Sequence, residues 1–217
     1  MRSSKIPQLL LALCFLPLAF CLTKRTALVK IQNNTPYPIS GVGVSHKYSD
    51  VYKNQYDWSI IPPGTLSTEA MTVEYNTGAF TTGRDWWMVT YHSEQASSVR
   101  PNELKMWYSD PENFRSIIDF LEKAAPALIK TAINAAKGSN PQLLPAAKAA
   151  QIASKVMCKL MFNNESTAGF KQHILRSEDE GRVTTIVINA DNTITFKSKS
   201  GNSNTVTSTK WISAEHA

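Results

Sequence analysis

Short runs of β-branched and aromatic residues, cut by turn residues, dominate the chain from Ala27 to Tyr91: ALVKIQ at 27–32, PISGVGVSHKY at 38–48, WSIIPPG at 58–64, AMTVEY at 70–75 and WWMVTY at 86–91. Runs of this length and spacing predict the strands of a sandwich or barrel. Val42, Val44, His46 and Tyr48 share one parity, and Gly41, Gly43, Ser45 and Lys47 the other. That alternation predicts a strand with one face in the core and one face wet. Pro62-Pro63-Gly64 and Asn76-Thr77-Gly78 supply turns between such runs.

The pattern changes at Ser109-Asp110-Pro111, an N-cap followed by proline at the first helical position. Phe114, Ile117, Leu121, Ala125, Leu128 and Ala132 then fall on one helical face, with Lys123, Lys130 and Lys137 opposite. Pro126 should kink this helix and Gly138 end it. A second helix is predicted from about Pro141 to Phe162, with Leu143, Ala147, Ala150, Met157 and Met161 apolar and Lys148, Lys155 and Lys159 opposite. Strand signals resume in FKQHIL at 170–175 and in TTIVINADNTITFKSK at 184–199, where Asp191-Asn192 marks a hairpin, and a last run is NTVTSTKWI at 204–212. The expected fold is mainly β: an antiparallel β-sandwich with an α-helical hairpin, about 111–162, inserted between strands, all within one domain spanning 22–217.

Arg2 and Lys5 precede the apolar run Ile6–Leu22, the layout of a signal peptide over residues 1–21, so the expected destination is secreted and extracellular. With its prolines and Gln8, the run falls short of the ~20 uninterrupted apolar residues of a spanning helix. Cleavage leaves Cys158 as the one cysteine and lowers the net charge from +6 to +4, since 23 basic residues lose Arg2 and Lys5 while 17 acidic residues remain. No intramolecular disulfide is then available, and the charge is too modest to argue for nucleic acid as a partner. Asn33-Asn34-Thr35 and Asn164-Glu165-Ser166 are glycosylation sequons, the second the better acceptor because Pro36 follows the first.

Candidate chemistry is sparse. The imidazoles are His46, His92, His173 and His216, and the chain lacks G-x-S-x-G, H-E-x-x-H and C-x-x-C. Cys158 sits in an apolar helical run, where packing is a better reading than nucleophilic pairing with His173. No catalytic residues, metal ligands or cofactor are therefore expected, and Glu178-Asp179-Glu180-Gly181 reads as a solvated acidic turn.

The aromatics offer more. Tyr48, Tyr52, Tyr56 and Trp58 flank a polar loop, 49–55, that contains Asp50, while Arg84 and Asp85 precede Trp86 and Trp87, whose side chains must point to opposite faces of a strand. Tyr48, Asp50, Tyr52, Tyr56, Trp58, Arg84, Asp85 and Trp86 are the candidate ligand-binding residues, since sugars and lipid headgroups both favour amphipathic rings beside polar groups. The competing reading is that most of these rings fill the core. Lys123, Lys130, Lys137, Lys148, Lys155 and Lys159 form a candidate membrane surface if the hairpin lays its apolar face into a bilayer. The competing reading packs that face on the sheet.

HKYSDVYKNQ at 46–55, NTGAFTTGRDWW at 76–87, NFRSIIDFLE at 113–122, FNNESTAGFKQHILRSEDEG at 162–181 and INADNTITFKSKSG at 188–201 resemble the PUD domain family, named for nematode proteins whose abundance rises in an insulin-receptor pathway mutant, and in particular its secreted fungal-type members. The resemblance implies a β-sandwich, with wider likeness to sandwiches used by pore-forming toxins and fungal lectins. It also implies a tendency to form a homo-oligomer, as dimers of the nematode members do. It supplies no catalytic residues and no cofactor, and the hairpin and signal peptide depart from the nematode pattern. The expected function is non-enzymatic binding at a lipid or glycan surface. The alternative is a self-associating structural or interaction protein of the extracellular space.

Overall fold

The alternating segments of the sequence become strands, and one helix lies across them. The computed structural model describes residues 22–49, 51–78, 81, 83–93, 103–111, 146–163, 167 and 169–213. Along the chain run β1 (Thr23–Asn33), β2 (Ile39–Tyr48), β3 (Tyr52–Ile61), β4 (Met71–Thr77), β5 (Asp85–Ser93), β6 (Glu103–Ser109), α1 (Ala146–Asn163), β7 (Lys171–Gln172), β8 (Val183–Ile188), β9 (Ile194–Lys197), β10 (Asn202–Thr205) and β11 (Thr207–Ser213), with a 3-10 turn at Ser177–Asp179. The signal peptide, the first helix of the expected hairpin with Lys123, Lys130 and Lys137, Asp50, Asn164 and the side chain of Lys148 all lie outside the described residues.

The strands form two sheets, ordered β10-β9-β8-β1-β4 and β11-β6-β5-β2-β3, with β7 added beside β5. Val29, Ile31, Val73, Ile186 and Phe196 from the first sheet share one core with Val42, Val44, Trp58, Trp87, Val89 and Tyr91 from the second. The arrangement is sandwich-like, driven by removal of these side chains from water. The expectation of a purely antiparallel fold needs correction. β1 and β8 run parallel, from Leu28 opposite Val183 to Asn33 opposite Ile188. A parallel pair needs a long crossover, and here it is everything between β1 and β8, including α1.

β1 alternates between buried and more accessible positions, as a sheet with one covered face requires. β2 does not: all ten of its residues are buried. The predicted wet face of β2 is covered by α1, which packs across β2 and β5. Met157, Cys158 and Met161 are buried on the helix while Lys159 is exposed. Helix and sheet approach closest at Gly43, where a Cβ would stand 2.6 Å from Cys158 Cβ and 2.9 Å from both Cys158 Sγ and Thr90 Oγ1. Next to it Ser45 Oγ bonds the Cys158 carbonyl at 3.1 Å.

Three further details differ from the sequence-based expectation. The polar loop 49–55 is only a tight turn before β3, with Ser49 at φ 45°. β6 arises where a helix cap was read: Ser109 Oγ accepts from the Val89 amide at 3.0 Å, so this hydroxyl serves the sheet. The run at 204–212 divides at Val206 into β10 and β11, which belong to different sheets. The β8–β9 hairpin falls where Asp191-Asn192 places it, with Asn192 at φ 64°, a left-handed conformation that asparagine tolerates better than most residues.

Candidate functional site

The two tryptophans of β5 separate as strand geometry requires. Trp87 is fully buried in the shared core, its Nε1 donating to the His173 carbonyl at 2.9 Å. Trp86 is half-buried and lines a cleft of about 950 Å³ at the side of the sandwich where β6 leaves the second sheet and β7 joins it. Phe170, Lys171 and Gln172 form the wall on the β7 side. Asn189, Thr193, Thr195 and Asn204 come from the β8–β9 hairpin and β10, and Pro111 and Val206 close the end. The Asn189 amide donates to Thr193 Oγ1 and Thr195 Oγ1, both at 3.0 Å. Neither its side-chain carbonyl oxygen nor the Thr195 hydroxyl proton enters a side-chain hydrogen bond among the described residues.

The other candidate ligand-binding residues do not converge there. Tyr48 is buried, with its hydroxyl donating to the Asn76 carbonyl at 3.0 Å and its ring under Gly83, where a Cβ would fall 2.0 Å from the ring. Burial, reinforced by the charge of Asp85, raises the Tyr48 pKa above its ordinary value. Tyr52 packs beside Tyr48 with its hydroxyl on Asn76 Oδ1. Trp58 is buried, donating to the Glu69 carbonyl at 3.0 Å, and Tyr56 stands edge-on to it at 4.7 Å. Arg84 is exposed, its backbone tied to the Ser49 turn. Tyr48 and Trp58 are thus core residues rather than a binding surface, because the loop expected to display them is a strand.

Asp85 is likewise corrected. Its Oδ1 bonds His46 Nε2 at 2.8 Å, with both side chains fully buried, and its Oδ2 accepts from the Leu175 amide at 2.8 Å. His46 Nδ1 faces Asn54 Oδ1 at 3.2 Å, and that oxygen also accepts from the Glu74 amide. Both ring nitrogens therefore meet oxygen acceptors, and the ring packs against Trp87 with centroids 4.2 Å apart. This is a polar pin joining β2, β3, β5 and the segment after β7.

The remaining titratable groups also serve the fold. Burial pushes the Cys158 thiol up to about 11, outweighing the hydrogen bonds from Ser45 and Gln55, so it is almost wholly protonated at neutral pH. Cys158 lies on the face of α1 that meets β2, whereas His173 stacks on Phe196 between the sheets with Nδ1 bonded to Ser203 Oγ at 2.9 Å. The structure does not bring thiol and imidazole together. Burial pushes His173 down to about 4 despite the pull of Asp179 and Asp85, with Lys171 pushing the same way as burial. The acidic turn at 178–181 is not simply solvated: Asp179 is buried and accepts from the Arg176 amide, the Ser200 amide and the Ser200 hydroxyl. Burial works against its charge, but these bonds prevail and hold its pKa below the ordinary value.

Asn33 is fully buried, which corrects its reading as a glycan acceptor. Its Nδ2 donates to the Tyr37 and Ile61 carbonyls at 2.9 Å each, and its Oδ1 accepts from the amide and hydroxyl of Thr35, the third residue of the sequon. Lys155 pairs with Asp57, and with Lys159, Gln55 and Tyr56 it borders a second cleft of about 330 Å³ between α1 and β3. Met157, Cys158 and Met161 of α1 are buried against the second sheet, so these residues are not free to enter a bilayer while they stay packed there. No helix among the described residues is long and apolar enough to cross a membrane, and none of their His, Cys, Asp and Glu side chains form a cluster able to hold a metal.

Two sheets over one core, a helix docked on the outer face of one sheet and a side cleft beside Trp86 define a mainly β, sandwich-like domain. The family model described as Up-Regulated in long-lived daf-2 matches residues 23–207, and the chain belongs to that family. No curated protein sequence matches it. The cleft residues Phe170, Lys171, Gln172, Asn189 and Asn204 escaped the sequence reading because they are dispersed polar and edge positions with no motif of their own. Phe170, Lys171, Gln172 and Asn189 share one signal, in that they fall within two of the blocks that carry the family resemblance, and Asn204 lies just past the second.

Proposed function

We propose that this is a secreted, non-catalytic binding protein whose Trp86 cleft takes a glycan. The observation that carries the reading is a half-buried indole opening into a cleft of about 950 Å³ whose walls add side-chain amides and hydroxyls. A cavity of this size lies within the range of small-ligand sites, and an aromatic face beside amides suits a sugar, whose C–H face stacks while its hydroxyls bond. The packing of α1 on the second sheet weighs for a glycan over a lipid surface. Export is supported by the signal-like run at 6–22 and by a family match that begins at residue 23.

The test is calorimetric titration of the mature chain with a panel of soluble oligosaccharides. The reading predicts binding by at least one, weakened roughly tenfold or more by W86A, since an aromatic contact of this kind contributes on the order of 1 kcal/mol beyond its buried area. Tyr52 lies beyond β2 from the cleft, so Y52A leaves the affinity unchanged. Equal binding by W86A and wild type would move the site away from the cleft.

A further inference from the structure

We infer that the cleft selects an acidic glycan, one bearing a carboxylate or sulfate, and that Lys171 is the residue that reads its charge; this rests on the glycan reading above. The described lining residues include one cation, Lys171, and no carboxylate. Lys171 is half-buried on β7 and forms none of the ion pairs among the described residues. Gln172 and Asn204 add amide N–H donors and Thr195 adds its hydroxyl proton, while the Asn189 amide is already spent on the two threonines.

Most carboxylates on the flanking elements are committed elsewhere. Asp85 serves His46 and Leu175, Asp179 serves Arg176 and Ser200, and Asp191 serves Thr193. Asp110, next to Pro111, accepts from Ser208 through Oδ2, while its buried Oδ1 has no partner among the described residues and does not line the cleft. His173, close enough to feel the charge of Lys171, is neutral near pH 7 and adds no second cation. A cleft rich in donors, with one ammonium and no fixed anion on its walls, is complementary to a ligand rich in acceptors that carries negative charge. A charge-assisted bond to an ammonium is about twice as strong as a neutral one, so a lone half-buried lysine is enough to set the preference.

The experiment titrates the mature chain with matched oligosaccharides: a neutral galactan fragment, an oligogalacturonate of the same length and a sulfated galactan fragment, each at low and physiological salt. Wild type should bind an acidic member roughly tenfold more tightly than the neutral one. K171Q should abolish that difference, with the larger loss falling on the acidic members, and W86A should weaken all members alike. K159Q, which removes an exposed charge on α1, is the control for net charge and should leave the preference intact. Equal affinity of wild type for neutral and acidic members, or a preference that survives K171Q, overturns the inference and leaves the glycan reading standing. Binding of none of the three, with a wider panel equally silent, overturns both.

Discussion

Replacing Asp85 should cost far more stability than its place in an aromatic, polar-looking sequence block suggests. Its two carboxylate oxygens each accept one buried donor at 2.8 Å, His46 Nε2 and the Leu175 amide. D85A strands both donors away from water. Each of the two buried donors left unpaired costs about 1–3 kcal/mol. D85A is therefore expected to lose about 3–5 kcal/mol. D85N keeps the shape, and its amide nitrogen can donate to His46 Nε2 once the ring proton sits on Nδ1 against Asn54 Oδ1, so it should lose less than D85A, roughly 0.5–2 kcal/mol. Urea unfolding at constant slope is the assay, with R84A as a surface control expected to stay within about 0.5 kcal/mol. A loss below about 1 kcal/mol for D85A would refute the reasoning, because an acid so easily removed is not pinning the core.

Three other outcomes follow from particular contacts. G43A should destabilise by about 1–3 kcal/mol by driving a methyl into Cys158 and Thr90, and adding C158G should recover part of that loss, a coupling visible in a double-mutant cycle. His173 has its pKa lowered from 6.5 to about 4: the unfolded chain takes up this proton first, so the contribution is whole above about pH 6.5 and fades as pH falls towards 4. Wild type should lose up to roughly 3 kcal/mol more than H173N across that window, and parallel unfolding curves at pH 7 and 4.5 would contradict it. Expression in a glycosylating secretory host should yield an unmodified Asn33 peptide by mass spectrometry, because a glycan would replace one of the two Nδ2 hydrogens that bond the Tyr37 and Ile61 carbonyls, at a fully buried site with no room for a sugar; glycosylated Asn33 in folded protein would contradict the geometry.

How much of this was legible in the sequence follows from which forces are local. Alternation along 27–32 reported β1 correctly because the first sheet has one covered face there, which is what a period of two encodes. The same reading misjudged β2, since the residues that cover its second face lie more than a hundred positions away on α1. Glycine and serine at Gly43 and Ser45 looked solvent-facing but are small because a helix passes over them. Trp86 and Trp87 were separable by parity alone, whereas the depth of Tyr48, Trp58 and Asp85 depended on the turn at Ser49 being tight. The wall opposite Trp86 comes from β7, β9 and β10, short elements that only the packing of two sheets brings together.

The central claim, that a sugar sits against Trp86, is tested most directly by following the tryptophan indole N–H resonances of ¹⁵N-labelled mature protein during titration with the tightest-binding oligosaccharide, assigning the Trp86 peak with W86F. Trp58 and Trp87 Nε1 are committed to the Glu69 and His173 carbonyls and should stay in place. The account predicts that the Trp86 resonance moves and saturates with the calorimetric affinity. Saturable binding that leaves Trp86 still and shifts another indole would contradict it.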